Sequence, residues 1–432
     1  MSRTFLPHVI TDDSALGGKV IERSLRFRSG SSSNLEKINS SAGNRRTMTY
    51  SFWFKRVGFT FHTILRGKQG ASDRHGFDLL SDGGVRFWGN AYNASPLFHV
   101  EPSRLLRDLN AWYHLVLSID TTQSTASDRA KLYINGDLIT DFDTASYPNQ
   151  NDSLYLNDAC RQTWGIEDGG VNVYLADIHF IDGYQYDASY FGYTESQTGI
   201  WRPKKYEGTY QDNAYHLDFS DPTSLDTLGI DKSPLGNDYA AEGFQVSAGY
   251  NQDSLLDTPT KEYATLNPIH HNARNTTFSN GNLYASIPAA TSAGQAHGNI
   301  PLTSGKWYYE VLYNQAGGNG DYLYVGLSDP EANDNKFYRS VRGSDGEQYP
   351  NTGATEVRFT TNDIINVAVD LDAGKWYIGR NGTYWYSGDP VAGTGFVHSD
   401  LISAHSATTT EGLIPYFYNA TSGAGQEFSV NF

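Results

Sequence analysis

The chain has 432 residues, more than one hydrophobic core usually organises, so two domains are expected. Its 30 Tyr, 21 Phe, 8 Trp and 43 Gly, set among many Asn and Asp, are the composition of sheets joined by tight turns and exclude a mainly helical protein. The net charge of -16 excludes duplex nucleic acid and anionic membranes as partners, because both require a basic footprint.

Residues 1–19 lack a periodic pattern and read as an N-terminal arm, with no apolar run long enough for a signal peptide. Alternation begins at Val20. Met48, Tyr50, Phe52 and Phe54 alternate with Thr47, Thr49, Ser51 and Trp53, which predicts a half-buried strand with Trp53 as its one large outward aromatic. Residues 76–80 and 85–88 flank Asp82-Gly83-Gly84 as a hairpin. Tyr113, Leu115, Leu117 and Ile119 form another strand face. Residues 131–139 centre on Asn135-Gly136, which supplies both positive φ angles of a type I′ turn. Residues 171–181 are apolar on both faces, as for a central strand. Then Pro203, Pro222, Pro234, Pro259 and Pro268 punctuate a stretch where few alternating runs survive, although residues 215–219 fit a strand packing back on the first domain. A second alternating region starts near Asn280. It includes Trp307, Tyr309 and Val311; Leu323, Val325 and Leu327; and Ile365 to Leu371 turning through Asp372-Ala373-Gly374 to Trp376 and Ile378. Residues 413–418 and 428–432 read as closing strands.

The expected fold class is all-β: two antiparallel sandwiches, of jelly-roll type, joined by an irregular connector. The boundaries are an arm at 1–19, a sandwich at 20–185, a connector packed on the domains at 186–275, and a sandwich at 276–432. The single cysteine, Cys160, excludes an intrachain disulfide and fits synthesis in a reducing cytoplasm, as a partly buried thiol. The five Asn-x-Ser/Thr sequons have no secretory signal to support them. No stretch approaches the ~18 apolar residues of a membrane span, so membrane insertion is not expected.

Several motifs resemble known families. Ser24-Leu25-Arg26-Phe27, Tyr50-Ser51-Phe52-Trp53-Phe54-Lys55, Trp112-Tyr113-His114-Leu115-Val116, Leu132-Tyr133-Ile134-Asn135-Gly136 and Leu175-Ala176-Asp177-Ile178 follow the order of a laminin-G-like domain, a concanavalin A-like jelly roll. Gly305-Lys306-Trp307-Tyr308-Tyr309-Glu310-Val311, Val325-Gly326-Leu327, residues 363–374, Asn381-Gly382 and Val430-Asn431-Phe432 resemble a SPRY domain. The connector, with Phe180-Ile181-Asp182-Gly183, Gly199-Ile200-Trp201-Arg202-Pro203-Lys204-Lys205-Tyr206, Leu217-Asp218-Phe219 and Leu256-Asp257-Thr258-Pro259-Thr260, is similar to tail-fibre-like and structural proteins of marine bacteriophages, cyanophages included. That resemblance implies a virion surface component.

Catalysis is not expected. A retaining glycanase needs two carboxylates about 5 Å apart on one strand face, and the alternating Glu-x-Asp-x-Glu form is absent. Glu167-Asp168 is an adjacent pair before two glycines and reads as a solvated loop. Gly-x-Ser-x-Gly and a phosphate-binding glycine loop are also absent. The adjacent His270-His271 lacks zinc-ligand spacing. No cofactor is required; calcium is the ion a concanavalin A-like fold would take, with Asp120, Asp128, Asp152 and Asp158 at expected loops or strand ends.

Aromatics beside amides, carboxylates and arginines are the remaining signal, because sugar rings stack on aromatic faces while polar groups read their hydroxyls. The candidate ligand-binding residues are Trp88 and Tyr92; Arg161, Trp164 and Glu167; Tyr338, Arg339, Arg342 and Tyr349; and Trp385, between Tyr384 and Tyr386. All are expected in loops. Two readings remain open. One is a phage adhesion protein that binds host-surface glycan or receptor. The other is a structural head or tail decoration or adaptor contacting other virion proteins. A glycan-degrading enzyme is the third. Both main readings expect a homo-oligomer at the virion surface.

Overall fold

The computed structural model describes residues 18–28, 32–69, 72–90, 96–109, 111–165, 171–247, 252–261, 263–268, 275–288, 294–315, 323–328, 337–343, 348–349, 358–401, 412–419 and 425–432. Most of the expected arm therefore lies outside the described residues. The chain divides into two compact units, residues 1–263 and 264–432. The expected connector is thus divided, and its larger part belongs to the first unit. Among the described residues no helix is long and apolar enough to cross a membrane.

The first unit is an antiparallel sandwich. One sheet runs in the order Asp137–Leu138, Ala130–Ile134, Tyr113–Asp120, Thr47–Arg56, Val173–Asp182, Ser24–Phe27 and Ser254–Leu255, with Tyr215–Leu217 also paired to Val173–Asp182. The facing sheet runs Phe142–Ser146, Pro96–Pro102, Val85–Asn90, Ser72–Leu79, His62–Gln69, Arg161–Trp164, Asn34–Ile38 and Ala240–Glu242. The inward rows meet in one core, where Phe52 of the first sheet lies 5.2 Å from Phe77 and 5.1 Å from Trp164 of the second. The Asn135-Gly136 turn has φ of +49° and +86°, the type I′ geometry its sequence predicts.

The outer face of the first sheet departs from the half-buried expectation. Trp53 points outward as predicted yet is only 3% exposed, and all ten positions of Val173–Asp182 are buried. Residues 184–217 and 252–261 cover this face. Trp201 stacks on His114, while Phe191 and Tyr206 pack on His179. Buried ion pairs fix the cover: Arg26 with Asp253 at 3.1 Å, and Lys55 with Asp257 beside Trp112 and Tyr174.

The second unit packs a sheet of Thr277–Ser279, Tyr284–Ile287, Gln426–Asn431, Lys306–Gln315, Ile364–Asp370, Lys375–Arg380 and Thr383–Tyr384 against one of Gly294–His297, Ile414–Asn419, Leu323–Ser328, Phe337–Arg342 and Gln348–Tyr349. Tyr309, Val311, Val325, Leu327, Val367, Val369, Trp376 and Ile378 are buried in its core, the rows their alternation predicts, except that Trp307, expected on the row of Tyr309 and Val311, lies exposed near the start of its strand.

An aromatic groove and a buried carboxylate–imidazole cluster

In the second unit, core-facing Tyr309 and Val311 alternate with outward Tyr308 and Glu310. Likewise Val367 and Val369 alternate with Asn366, Ala368 and Asp370. Strand pairing lines these outward residues up with Tyr377 and Tyr384 on the neighbouring strands. The result is a groove of about 430 Å³ whose lining includes Trp307, Tyr308, Ala368, Asp370, Tyr377 and Tyr384. Trp307 is 43% exposed and Tyr308 49% exposed.

Polar groups hold this lining in place. The Tyr308 hydroxyl donates to Glu310 Oε1 at 2.6 Å and accepts from Asn366 Nδ2 at 2.7 Å. Partial burial, then the Glu310 carboxylate, pushes the Tyr308 hydroxyl up to about 12, so it remains a donor. Trp307 Nε1 donates to the Ser304 carbonyl at 2.7 Å, which fixes the indole plane. Lys306 lies 3.4 Å from Asp370 at the rim. The Tyr377 hydroxyl is buried without a hydrogen-bond partner, although its ring lines the groove. Aromatic planes, carboxylates and an amide form the donor and acceptor set that suits a polyhydroxylated ring.

Of the aromatic cluster read from the sequence at 384–386, Tyr384 lines this groove; among the described residues, the other predicted ones fall elsewhere. Trp88 sits in strand Val85–Asn90, half-buried, with Nε1 donating to Asp78 at 3.0 Å. Arg161 lies on the same outer sheet face and pairs with Glu36 at 3.2 Å. Trp164 is a correction: it is fully buried, against Phe52, and donates to the Tyr215 hydroxyl at 3.1 Å. On a strand, positions 161 and 164 face opposite sides, so they cannot share a site. Trp385 is a second correction, being 5% exposed and stacked on Phe359 in the core. Arg339 is also buried, with Nε donating to Asp400 at 3.0 Å. Arg342 lies over the Tyr324 ring. Arg339 and Arg342 belong to strand Phe337–Arg342 rather than to a loop, on opposite faces. Tyr338 and Tyr349 lie in strands, but their side chains fall outside the described residues, as do Tyr92, Glu167 and His270-His271 entirely.

The four aspartates considered for calcium have other tasks. Asp120 caps Thr122 and Gln123, Asp152 caps Asn149, Asp128 pairs with Lys131, and Asp158 pairs with Arg45. Cys160 is buried and accepts from Gln162.

Sequence reasoning also missed a cluster on the covered face of the first unit. Asp177, His179 and His216 place their ligating atoms within 4.8 Å of one another, a grouping found nowhere else among the described residues. The register slips by one residue between Ala176 and His179, and Asp177 is the extra residue, with φ of +49°. Such a bulge re-aims a side chain, at a backbone cost of about 1–2 kcal/mol outside glycine. His179 sits directly opposite His216 on the paired strand, their rings stacked 4.1 Å apart. Burial would raise the Asp177 carboxyl, but the Lys19 ammonium and the imidazoles hold it well below the usual range.

Residues 29–183 match the laminin-G profile of the concanavalin A-like lectin/glucanases superfamily. No curated protein matches the sequence. Among solved structures, the chain is similar to the SPRY domain of human HERC1 (18% identity, 37% of this chain and 94% of that one, TM-score 0.31). It is also similar to a heptameric SAP-like pentraxin from Limulus polyphemus (13% identity, 46% and 96%, TM-score 0.31). A third is the neuralized NHR1 domain of Drosophila melanogaster (13% identity, 39% and 98%, TM-score 0.26). The first unit carries a concanavalin A-like jelly roll over the residues that match that profile.

Proposed function

We propose that this is a bacteriophage virion surface protein that attaches, without catalysis, to glycans of the host cell. The connector motifs support the phage assignment, and the groove of the second unit supports the attachment. The observation that carries the reading is the half-exposed pair Trp307 and Tyr308, set beside the Glu310–Asn366 network. Weak sites of this kind gain strength when several copies engage one surface, which fits a homo-oligomer bound to the particle through residues 1–19.

A glycan array and a host-cell binding assay, on the intact protein with and without calcium, test the proposal. Specific binding is expected, reduced at least about tenfold by Tyr308→Ala or Trp307→Ala, with both variants folded because these rings stand outside the core. The same exposed aromatics also suit a protein interface. Absence of glycan and cell binding by the folded oligomer would replace adhesion with the decoration or adaptor reading.

A further inference from the structure

The Asp177–His179–His216 cluster has no part in attachment, yet it has the composition of a ligand set. Asp177 Oδ1 lies 2.7 Å from His216 Nε2 and 3.4 Å from His179 Nε2. Neutral His216 with its proton on Nε2 donates directly to Asp177 at 2.7 Å, and a cation from Lys19 reaches the same carboxylate oxygen. The Lys19 ammonium is 2.5 Å from Asp177 Oδ1 and 3.1 Å from His216 Nε2. His179 Nε2 is buried and faces Asp177 Oδ1 at the long distance of 3.4 Å. Its other nitrogen, Nδ1, is 2.6 Å from the Tyr210 hydroxyl, which fixes the ring with Nε2 turned toward Asp177.

We propose that Asp177, His179 and His216 are a binding site for a divalent transition metal such as zinc, and that the Lys19 ammonium is the internal cation that occupies it in the metal's place. Two imidazoles and one carboxylate suit zinc, whose bonds of about 2.0–2.2 Å set tetrahedral donor atoms roughly 3.3–3.5 Å apart. Asp177 Oδ1 already lies 2.7 and 3.4 Å from the two Nε2 atoms, and the imidazoles, stacked nearly parallel, turn out of their stack to bring both lone pairs onto one ion. Tyr210 acts as the positioning residue that orients His179, as hydrogen-bonded partners of metal-bound histidines do. Lys19 is the movable member: its side chain is 17% exposed, its stem is flexible, and its backbone is held independently by the bond from Lys19 N to the Pro203 carbonyl. A bound metal would cross-link the central strand Val173–Asp182 to its paired neighbour Tyr215–Leu217 and release Lys19 to solvent.

The test uses the full chain, stripped with chelator and titrated with zinc by calorimetry and with cobalt by visible absorption. One metal per chain is expected, with a cobalt spectrum of tetrahedral type. Lys19→Ala removes the competing ammonium and should tighten binding by about tenfold. Tyr210→Phe should weaken it by about tenfold to a hundredfold, and His216→Ala should abolish it. Circular dichroism checks that each variant is folded. If neither the native chain nor folded Lys19→Ala takes up a stoichiometric metal, the cluster is an ion-pair network and the proposal is overturned. Glycan binding, located in the other unit, is read separately and does not decide this result.

Discussion

Arg161 and Trp164 show how far a single residue can be read. Both lie on a four-residue strand, and its alternation directs Arg161 and Thr163 one way and Gln162 and Trp164 the other. Sequence periodicity gives that division but does not say which side is the core, and a tryptophan beside an arginine looks like a sugar platform. The facing sheet decides it, with Phe52 waiting opposite Trp164. Trp164→Ala is therefore expected to destabilise the first unit by about 3–5 kcal/mol, as measured by denaturant unfolding. Glycan binding per folded molecule should not change. A loss under ~1 kcal/mol would contradict the buried placement. Tyr308 is the converse case. It precedes the core position Tyr309, and the same alternation that buries Tyr309 and Val311 directs Tyr308 and Glu310 outward. That signal was present in the sequence, masked by the stronger apolar row beside it.

At the scale of elements, the decisive feature is the cover on the first sheet. Strand Val173–Asp182 reads as apolar on both faces, and the reason is now plain: residues 184–217 and 252–261 pack over its outer side. An irregular, proline-punctuated segment offers no periodicity from which this docking could be read. It carries instead the partners of buried charges, Asp253 for Arg26 and Asp257 for Lys55. Removing one partner of such a pair costs about 3–5 kcal/mol, and the apolar face is exposed as well. A fragment ending at residue 185 should therefore be insoluble or molten, whereas one ending at residue 263 should fold with dispersed amide resonances. A well-folded fragment ending at 185 would show that the cover is dispensable.

For the whole molecule, buried histidines predict how stability responds to acid. Burial lowers His75 to about 4 and His114 to about 3 in the first unit; in the second, burial, then Arg339, lowers His398 to about 4. Each group's folded value lies below its unfolded value near 6.5, so the unfolded chain binds protons that the native chain refuses. The neutral-histidine contribution is complete above about pH 6.5 and is lost as pH falls toward 4, at up to ~1.4 kcal/mol per pH unit for each histidine. Urea midpoints of both units should drop between pH 7.5 and pH 5; midpoints flat over that range would refute it. The sequence by itself determined the all-β class, the hairpins at Asn135-Gly136 and Asp372-Ala373-Gly374, and the inward rows of both cores, because strand alternation and turn chemistry are local. Tertiary structure alone decided which sheet faces are covered, how the bulge at Asp177 meets His216 across the paired strand, and where Tyr308, Tyr377 and Tyr384 line up. Those features depend on strand register and on docking between residues distant along the chain, which no local pattern encodes.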